Sequence, residues 1–106
     1  MGDDSAAGKW PGVSRVGEPE FKRGPLEGSL QRPNEYWIRT TRLPGGAHGA
    51  NWLGYFNSQV SRPPFCGHHD GNKIIIECWP DDEPQLTEKI DSAIEYANER
   101  LRELRQ

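Results

Sequence analysis

Residues 86–104 read LTEKIDSAIEYANERLREL, and they decide the fold because their apolar side chains recur every three or four positions. On a helix, that spacing gathers the apolar side chains into one stripe roughly 100° wide. Pro84 suits the first turn of a helix, and Asp82 or Glu83 suits its cap. We therefore predict one amphipathic helix that continues to the C-terminus, with a stripe made of Leu86, Ile90, Ala93, Ile94, Ala97, Leu101 and Leu104.

A helix with one apolar side needs a surface to pack against, and the segment before it supplies one. Residues 73–79 read KIIIECW, a short run rich in β-branched and aromatic side chains that favours a strand. Because side chains alternate along a strand, Ile74, Ile76 and Cys78 share one face. We predict that this face packs on the helix, since the opposite face carries Glu77.

Two further strands are predicted nearer the N-terminus. Residues 35–42, EYWIRTTR, precede a glycine-rich turn at 44–49, and residues 50–56, ANWLGYF, follow it, which is typical of a hairpin. The sequence thus predicts a small two-layer α+β domain, in which the long C-terminal helix packs on a three-stranded, mainly antiparallel sheet (β-β-β-α). The connection at 57–72 is then a long loop.

Composition sets the remaining boundaries. The chain has 106 residues, 33% of them hydrophobic, which is enough for one small domain. Residues 1–33 are rich in glycine and proline without a sustained apolar period, so we predict a flexible, largely disordered arm at 1–33 and a single domain at 34–106. No apolar run is long enough to cross a membrane, and we expect a cytoplasmic protein without a membrane partner.

The predicted sheet has one face that the helix does not cover. Trp37, Arg39, Leu53 and Tyr55 are the candidates to line it, and exposed aromatic and basic side chains are typical of a binding surface. The predicted partner-binding residues are Trp37, Arg39, Trp52 and Tyr55. We expect a small accessory protein that binds a protein partner, or a second copy of itself, through this face and the hairpin loop. The arm could instead cover the face.

Catalysis and nucleic-acid binding have weaker support in the sequence. The net charge of −3 argues against nucleic acid as the main ligand, although aromatic and arginine side chains on a sheet can stack on a single strand. Cys66 with His48 or His69 supplies the residue types of a thiol nucleophile and its base. The glycines at 45–46 have neither the lysine nor the helix start of a phosphate-binding loop.

A metal site is the main alternative. Thiolate and imidazole are natural zinc ligands, and His48, Cys66, His68 or His69, and Cys78 all fall in or beside predicted loops. No two of them have the short spacing by which a pair of ligands shares one turn. A disulfide between Cys66 and Cys78 is a further possibility in an oxidising compartment.

Overall fold

The structure is a computed structural model and describes residues 10–23, 33–63, 65–70 and 73–105. The described part of the chain contains strands, two α-helices and a short 3-10 helix, Pro80–Gln85, that leads directly into the second α-helix. In chain order the elements are β1 (Glu20–Arg23), β2 (Asn34–Ile38), α1 (Gly46–Val60), β3 (Cys66–Asp70), β4 (Lys73–Cys78) and α2 (Leu86–Arg105).

The strands form one antiparallel sheet in the order β1-β2-β4-β3. Because β2 and β3 are each antiparallel to β4, which lies between them, they are parallel to each other. The segment β2-α1-β3 is therefore a split β-α-β unit. Side chains from both helices share one apolar core with the side chains of a single sheet face, here called the inner face, which carries Tyr36, Ile38, Ile74, Ile76 and Cys78.

The predictions for the last third of the chain are confirmed in their main points. Residues 73–78 form β4, and its predicted core face of Ile74, Ile76 and Cys78 is fully buried. The stripe of α2 is buried along its length except for Leu104, which is 53% exposed. The α-helix begins at Leu86 because the preceding residues, Pro84 among them, form the 3-10 helix.

The prediction of a strand at residues 50–56 is wrong, because these residues lie in the middle of α1. Their aromatic content favours a strand, but β-propensity mainly reports how a side chain packs on its neighbours. The buried residues of this segment recur at helical spacing, which decides the outcome, and Gly54 is exposed on the helix. These buried residues are Gly49, Trp52, Leu53, Phe56 and Val60.

The predicted loop at 57–72 contains the end of α1 and the whole of β3. The sheet has four strands rather than three, because β1 and β3 are added and the expected strand at 50–56 is part of a helix. β3 pairs with β4 from Cys66 opposite Glu77 to Asp70 opposite Lys73. Its polar sequence, CGHHD, has little strand propensity. Pairing along the hydrogen-bonding edge of β4 therefore outweighs local preference.

Part of the predicted arm belongs to the fold. β1 pairs with β2, and Val13 is in the core with 2% of its surface exposed. Backbone hydrogen bonds join Val16 N to Arg39 O at 2.9 Å and Thr41 N to Ser14 O at 2.8 Å. Residues 1–9 and 24–32, the rest of the predicted arm, lie outside the described residues.

Candidate functional site

The sheet face opposite the helices is the first candidate surface. Strand alternation places Trp37 of β2 and Ile75 of β4 next to each other on this face, and strand pairing adds Glu20 on one side and His68 on the other. One row of side chains thus crosses all four strands. We call this surface the outer face and define it by Glu20, Lys22, Glu35, Trp37, Cys66, His68, Lys73, Ile75 and Glu77.

Charge is distributed unevenly along the outer face. Glu35 and Glu77 are paired in register toward one end of the central strands. Lys73 lies toward the other end, and Arg39 follows the last paired residue of β2 beside it. On the central strands β2 and β4 this face therefore has an acidic end, an apolar centre formed by Trp37 and Ile75, and a basic end. On the edge strands the register places Arg23 opposite Glu35 and Asp70 opposite Lys73.

Trp37 is half-buried and held in place by its neighbours. The ammonium groups of Lys73 and Lys22 lie 3.9 and 4.5 Å from its ring centroid, within cation–π range. Its indole N–H donates to Glu35 Oε2 at 2.8 Å. These contacts order the ring before any partner binds, and the two ammonium groups occupy space that a stacked base would need.

The predicted partner-binding residues divide between the two sides of the sheet. Trp37 lies on the outer face and Arg39 at its basic end. The expectation that Leu53 and Tyr55 line this open face is wrong, because both belong to α1, as does Trp52. Trp52 is 0% exposed and stacks on Phe56 with ring centroids 5.4 Å apart, and Tyr55 is half-buried beside Arg100.

Among the remaining outer-face residues, Cys66 and His68 were candidates only for a metal or thiol site, and the others were not singled out from the sequence. The signal was nevertheless present, since placing Ile74, Ile76 and Cys78 on the helix side of β4 directs Ile75 and Glu77 to the other side. Ile75 is only 9% exposed although it lies outside the main core cluster. Neighbouring outer-face side chains therefore already cover most of it.

The candidate zinc ligands are spread over different surfaces. His48 is exposed in the first turn of α1, Cys66 is exposed on the outer face, His69 is in register with the inner-face Ile74, and Cys78 is buried. Burial, with smaller effects from Asp82 and Glu83, raises the pKa of the Cys78 thiol to about 11, which disfavours the thiolate that zinc needs.

Among the described residues, no three His, Cys, Asp or Glu side chains lie close enough together to hold one metal ion. Both cysteines are free thiols, and strand alternation puts them on opposite faces of the sheet. Zinc binding at the residues proposed from the sequence stays a prediction.

The free edge of the sheet at β3 is partly closed. The Ser61 hydroxyl accepts a hydrogen bond from Gly67 N and donates one to Gly67 O, both at 2.9 Å. A side chain thus occupies backbone groups that an incoming strand would otherwise pair with. This arrangement disfavours strand addition at the centre of β3.

A cleft of about 780 Å³ lies where β2 leads into α1. Three basic side chains, Arg39, Arg42 and His69, line it, and none of the described residues in its wall is acidic. Other parts of the wall come from Val16, Leu43, Leu53 and the glycines at 45, 46 and 49.

The 15-residue helix α1 begins at this cleft, with Gly45 as its N-cap and Gly46 at a φ of +59°. No described side chain caps it, and its first turn carries no acidic residue. Backbone N–H groups at a helix start, together with basic side chains, favour an anion. The expectation that no helix starts at the glycines of residues 45–46 is therefore wrong.

Neither α1 nor α2 combines the length and the apolar content needed to span a membrane. Comparison of the chain with protein-family models, with curated proteins and with solved structures gives no match.

Proposed function

We propose that this chain is a binding protein without catalysis of its own, and that the outer face is its contact surface for another protein. The observation that supports the proposal is the packing of both helices on the inner face, which leaves Trp37 and Ile75 between two oppositely charged ends. An apolar centre flanked by polar and charged side chains is the usual composition of a protein interface.

Two other surfaces, the acidic side of α2 and the free edge of β3, offer less to a protein partner. The exposed side of α2 carries Asp91, Glu95, Glu99 and Glu103 at four-residue steps, which is typical of a solvated helix surface. The middle of the β3 edge is occupied by Ser61. On the outer face, Lys22 and Lys73 already fix Trp37, so less side-chain freedom is lost on binding. The two free cysteines fit a reducing compartment such as the cytoplasm.

Site-specific photo-crosslinking in cells tests this proposal. A photoreactive residue replaces His68 on the outer face in one variant and Glu95 on the exposed side of α2 in the control. We expect a discrete adduct with one protein from position 68 and none from position 95. Equal adduct patterns at the two positions would contradict the proposal.

The adduct partner is then purified and its affinity for the chain is measured directly. We expect Trp37→Ala to weaken binding by about tenfold or more, since buried aromatic side chains dominate interface energies. Glu95→Ala serves as the matched surface control and should leave the affinity unchanged. An undiminished affinity of the Trp37 variant would remove the outer face from consideration.

Anion binding in the cleft is a second candidate function. The cleft has Arg39, Arg42 and His69 in its wall without a described acidic residue, and the start of α1 opens into it. A small phosphorylated or carboxylated molecule is the class of ligand that suits this charge. Arg39 also lies at the basic end of the outer face, so an anion in the cleft would alter the charge of that surface.

NMR titration with inorganic phosphate and with pyrophosphate tests the second candidate. We expect saturable amide shifts at Gly46, Ala47 and His48, and their loss in Arg42→Ala. Arg62→Ala, an exposed arginine just beyond the end of α1, is the matched control and should retain the shifts. Shifts that do not saturate, or that persist in Arg42→Ala, would contradict binding in the cleft.

A further inference from the structure

We infer that the partner of the outer face is a second copy of this chain, bound face to face with the strands of the two copies running in opposite directions. The inference rests on the proposed use of the outer face and names its partner. It follows from the order of charge along β2 and β4, in which the acidic residues precede the apolar centre of β2 and the basic residues follow it.

Two two-fold arrangements can bring the outer faces together. If the axis runs along the strands, β2 of one copy faces β4 of the other without reversal, and Glu35 meets Glu77. If the axis crosses the strands at the Trp37–Ile75 row, each strand faces its own copy in reverse. Glu35 then meets Arg39, Glu77 meets Lys73, and the reciprocal pairs form as two-fold symmetry requires. Charge complementarity selects the second arrangement.

The central row is compatible with this arrangement. Trp37 and Ile75 lie nearest the axis, each opposite its own copy. Because Ile75 is only 9% exposed and Lys22 and Lys73 lie over the Trp37 ring, the apolar contact at the middle of the interface comes from the part of Trp37 that stays exposed. Glu20, at one end of the row, approaches its own copy, but Lys22 neutralises it within the same chain at 3.3 Å. Like-charge repulsion there is therefore small.

The dimensions of the sheet predict a weak dimer. Four strands spaced about 4.8 Å apart, with five residues of about 3.3 Å each, cover on the order of 300 Å² in projection. A standard interface buries about 800 Å² of accessible surface per partner. We therefore expect a concentration-dependent dimer with a dissociation constant on the order of 10 µM or weaker, more stable at low salt.

Sedimentation equilibrium of the full chain over a wide concentration range tests the inference. We expect reversible dimerisation of the wild type. Glu77→Lys alone and Lys73→Glu alone should each weaken it by about tenfold or more, because each variant sets two like-charged pairs against each other. Glu95→Lys on the exposed side of α2 is the charge-matched control and should dimerise as the wild type does.

Mixing the two variants provides the decisive measurement. In a mixed dimer, the lysine introduced at position 77 of one copy meets the glutamate introduced at position 73 of the other. The native Lys73 of the first copy meets the native Glu77 of the second. The mixture should therefore regain an affinity close to that of the wild type, which also shows that both variants are folded. A wild type that stays monomeric, or a mixture that does not regain affinity, overturns the inference.

The result separates this inference from the proposed function. A monomeric wild type that forms an adduct with another protein from position 68 removes the dimer and leaves the outer face as a binding surface. A monomeric wild type without any adduct from position 68 removes both. If the wild type dimerises and none of the charge reversals changes its affinity, self-association takes place through another surface.

Discussion

The side-chain amide of Asn98 pairs with the backbone of Val13 at two points. Val13 N–H donates to Asn98 Oδ1 at 2.9 Å, and Asn98 Nδ2 donates to Val13 O at 2.9 Å. The same Oδ1 accepts the indole N–H of Trp52 at 2.8 Å. One buried side chain on α2 therefore connects the N-terminal segment to both helices.

Replacing Asn98 with alanine should lower the free energy of unfolding by about 3 kcal/mol. The change leaves two buried N–H donors and one carbonyl without partners, and each unmet buried group costs about 1–3 kcal/mol. Glu95→Ala on the exposed side of the same helix is the control, with an expected change within about 0.5 kcal/mol. Urea denaturation measures both, and similar losses in the two variants would argue against the Asn98 network.

The N-terminal segment itself can be tested with two valines. Val13 is 2% exposed and Val16 is 47% exposed, although they are only three residues apart. Val13→Asp should destabilise the fold by several kcal/mol because it buries an unpaired carboxylate, whereas Val16→Asp should have little effect. Thermal melting of the two variants tests whether the segment is docked. If it were the flexible arm that composition predicts, Val13→Asp and Val16→Asp would melt at the same temperature.

The elements predicted correctly are those whose local pattern and tertiary environment agree. In α2 the apolar stripe has helical spacing and also meets the core, and in β4 the alternation of Ile74, Ile76 and Cys78 matches the pleat. The order of these two elements in the chain was sufficient to place one against the other. The same alternation also predicts which side chains of β2 and β4 lie on the outer face, and these are about half of its residues.

The elements that the sequence did not predict depend on contacts between residues distant in the sequence. Val13 is buried because Asn98, 85 residues later, binds its backbone, and no local pattern in a glycine- and proline-rich segment indicates this. In α1, the spacing of Trp52, Phe56 and Val60 indicates a helix, but their aromatic and β-branched types indicate a strand. β3 forms because its backbone pairs with the edge of β4.

Alkaline pH should destabilise the protein through Tyr36. Burial, and then its hydrogen bond to Glu83, raise the pKa of the Tyr36 hydroxyl from 10.0 to about 12. The unfolded chain therefore loses this proton at a lower pH than the folded chain, so the stabilisation is complete below about pH 10 and disappears as pH rises toward about 12.

Urea denaturation at about pH 8 and about pH 11.5 measures this effect. The loss of stability between the two should be smaller in Tyr36→Phe than in the wild type, even if the variant is less stable at both. Cys78, whose raised pKa of about 11 also favours alkaline unfolding, remains in both proteins and accounts for part of the residual loss. An identical loss in the two proteins would show that Tyr36 titrates alike in the folded and unfolded chains.

Two glycines on α1 should respond to alanine with opposite signs. A Cβ on Gly49 meets the backbone carbonyl of Pro44, whereas a Cβ on Gly54 meets nothing within 4 Å. Gly54→Ala should raise stability by about 0.5–1 kcal/mol, because alanine is the better helix former at an exposed position. Gly49→Ala should lower stability by about 1–3 kcal/mol, because the backbone that enters the helix has to move. Urea denaturation of the two variants shows whether each change raises or lowers the free energy of unfolding. A Gly54→Ala variant less stable than the wild type would contradict the assignment of residues 46–60 to a helix.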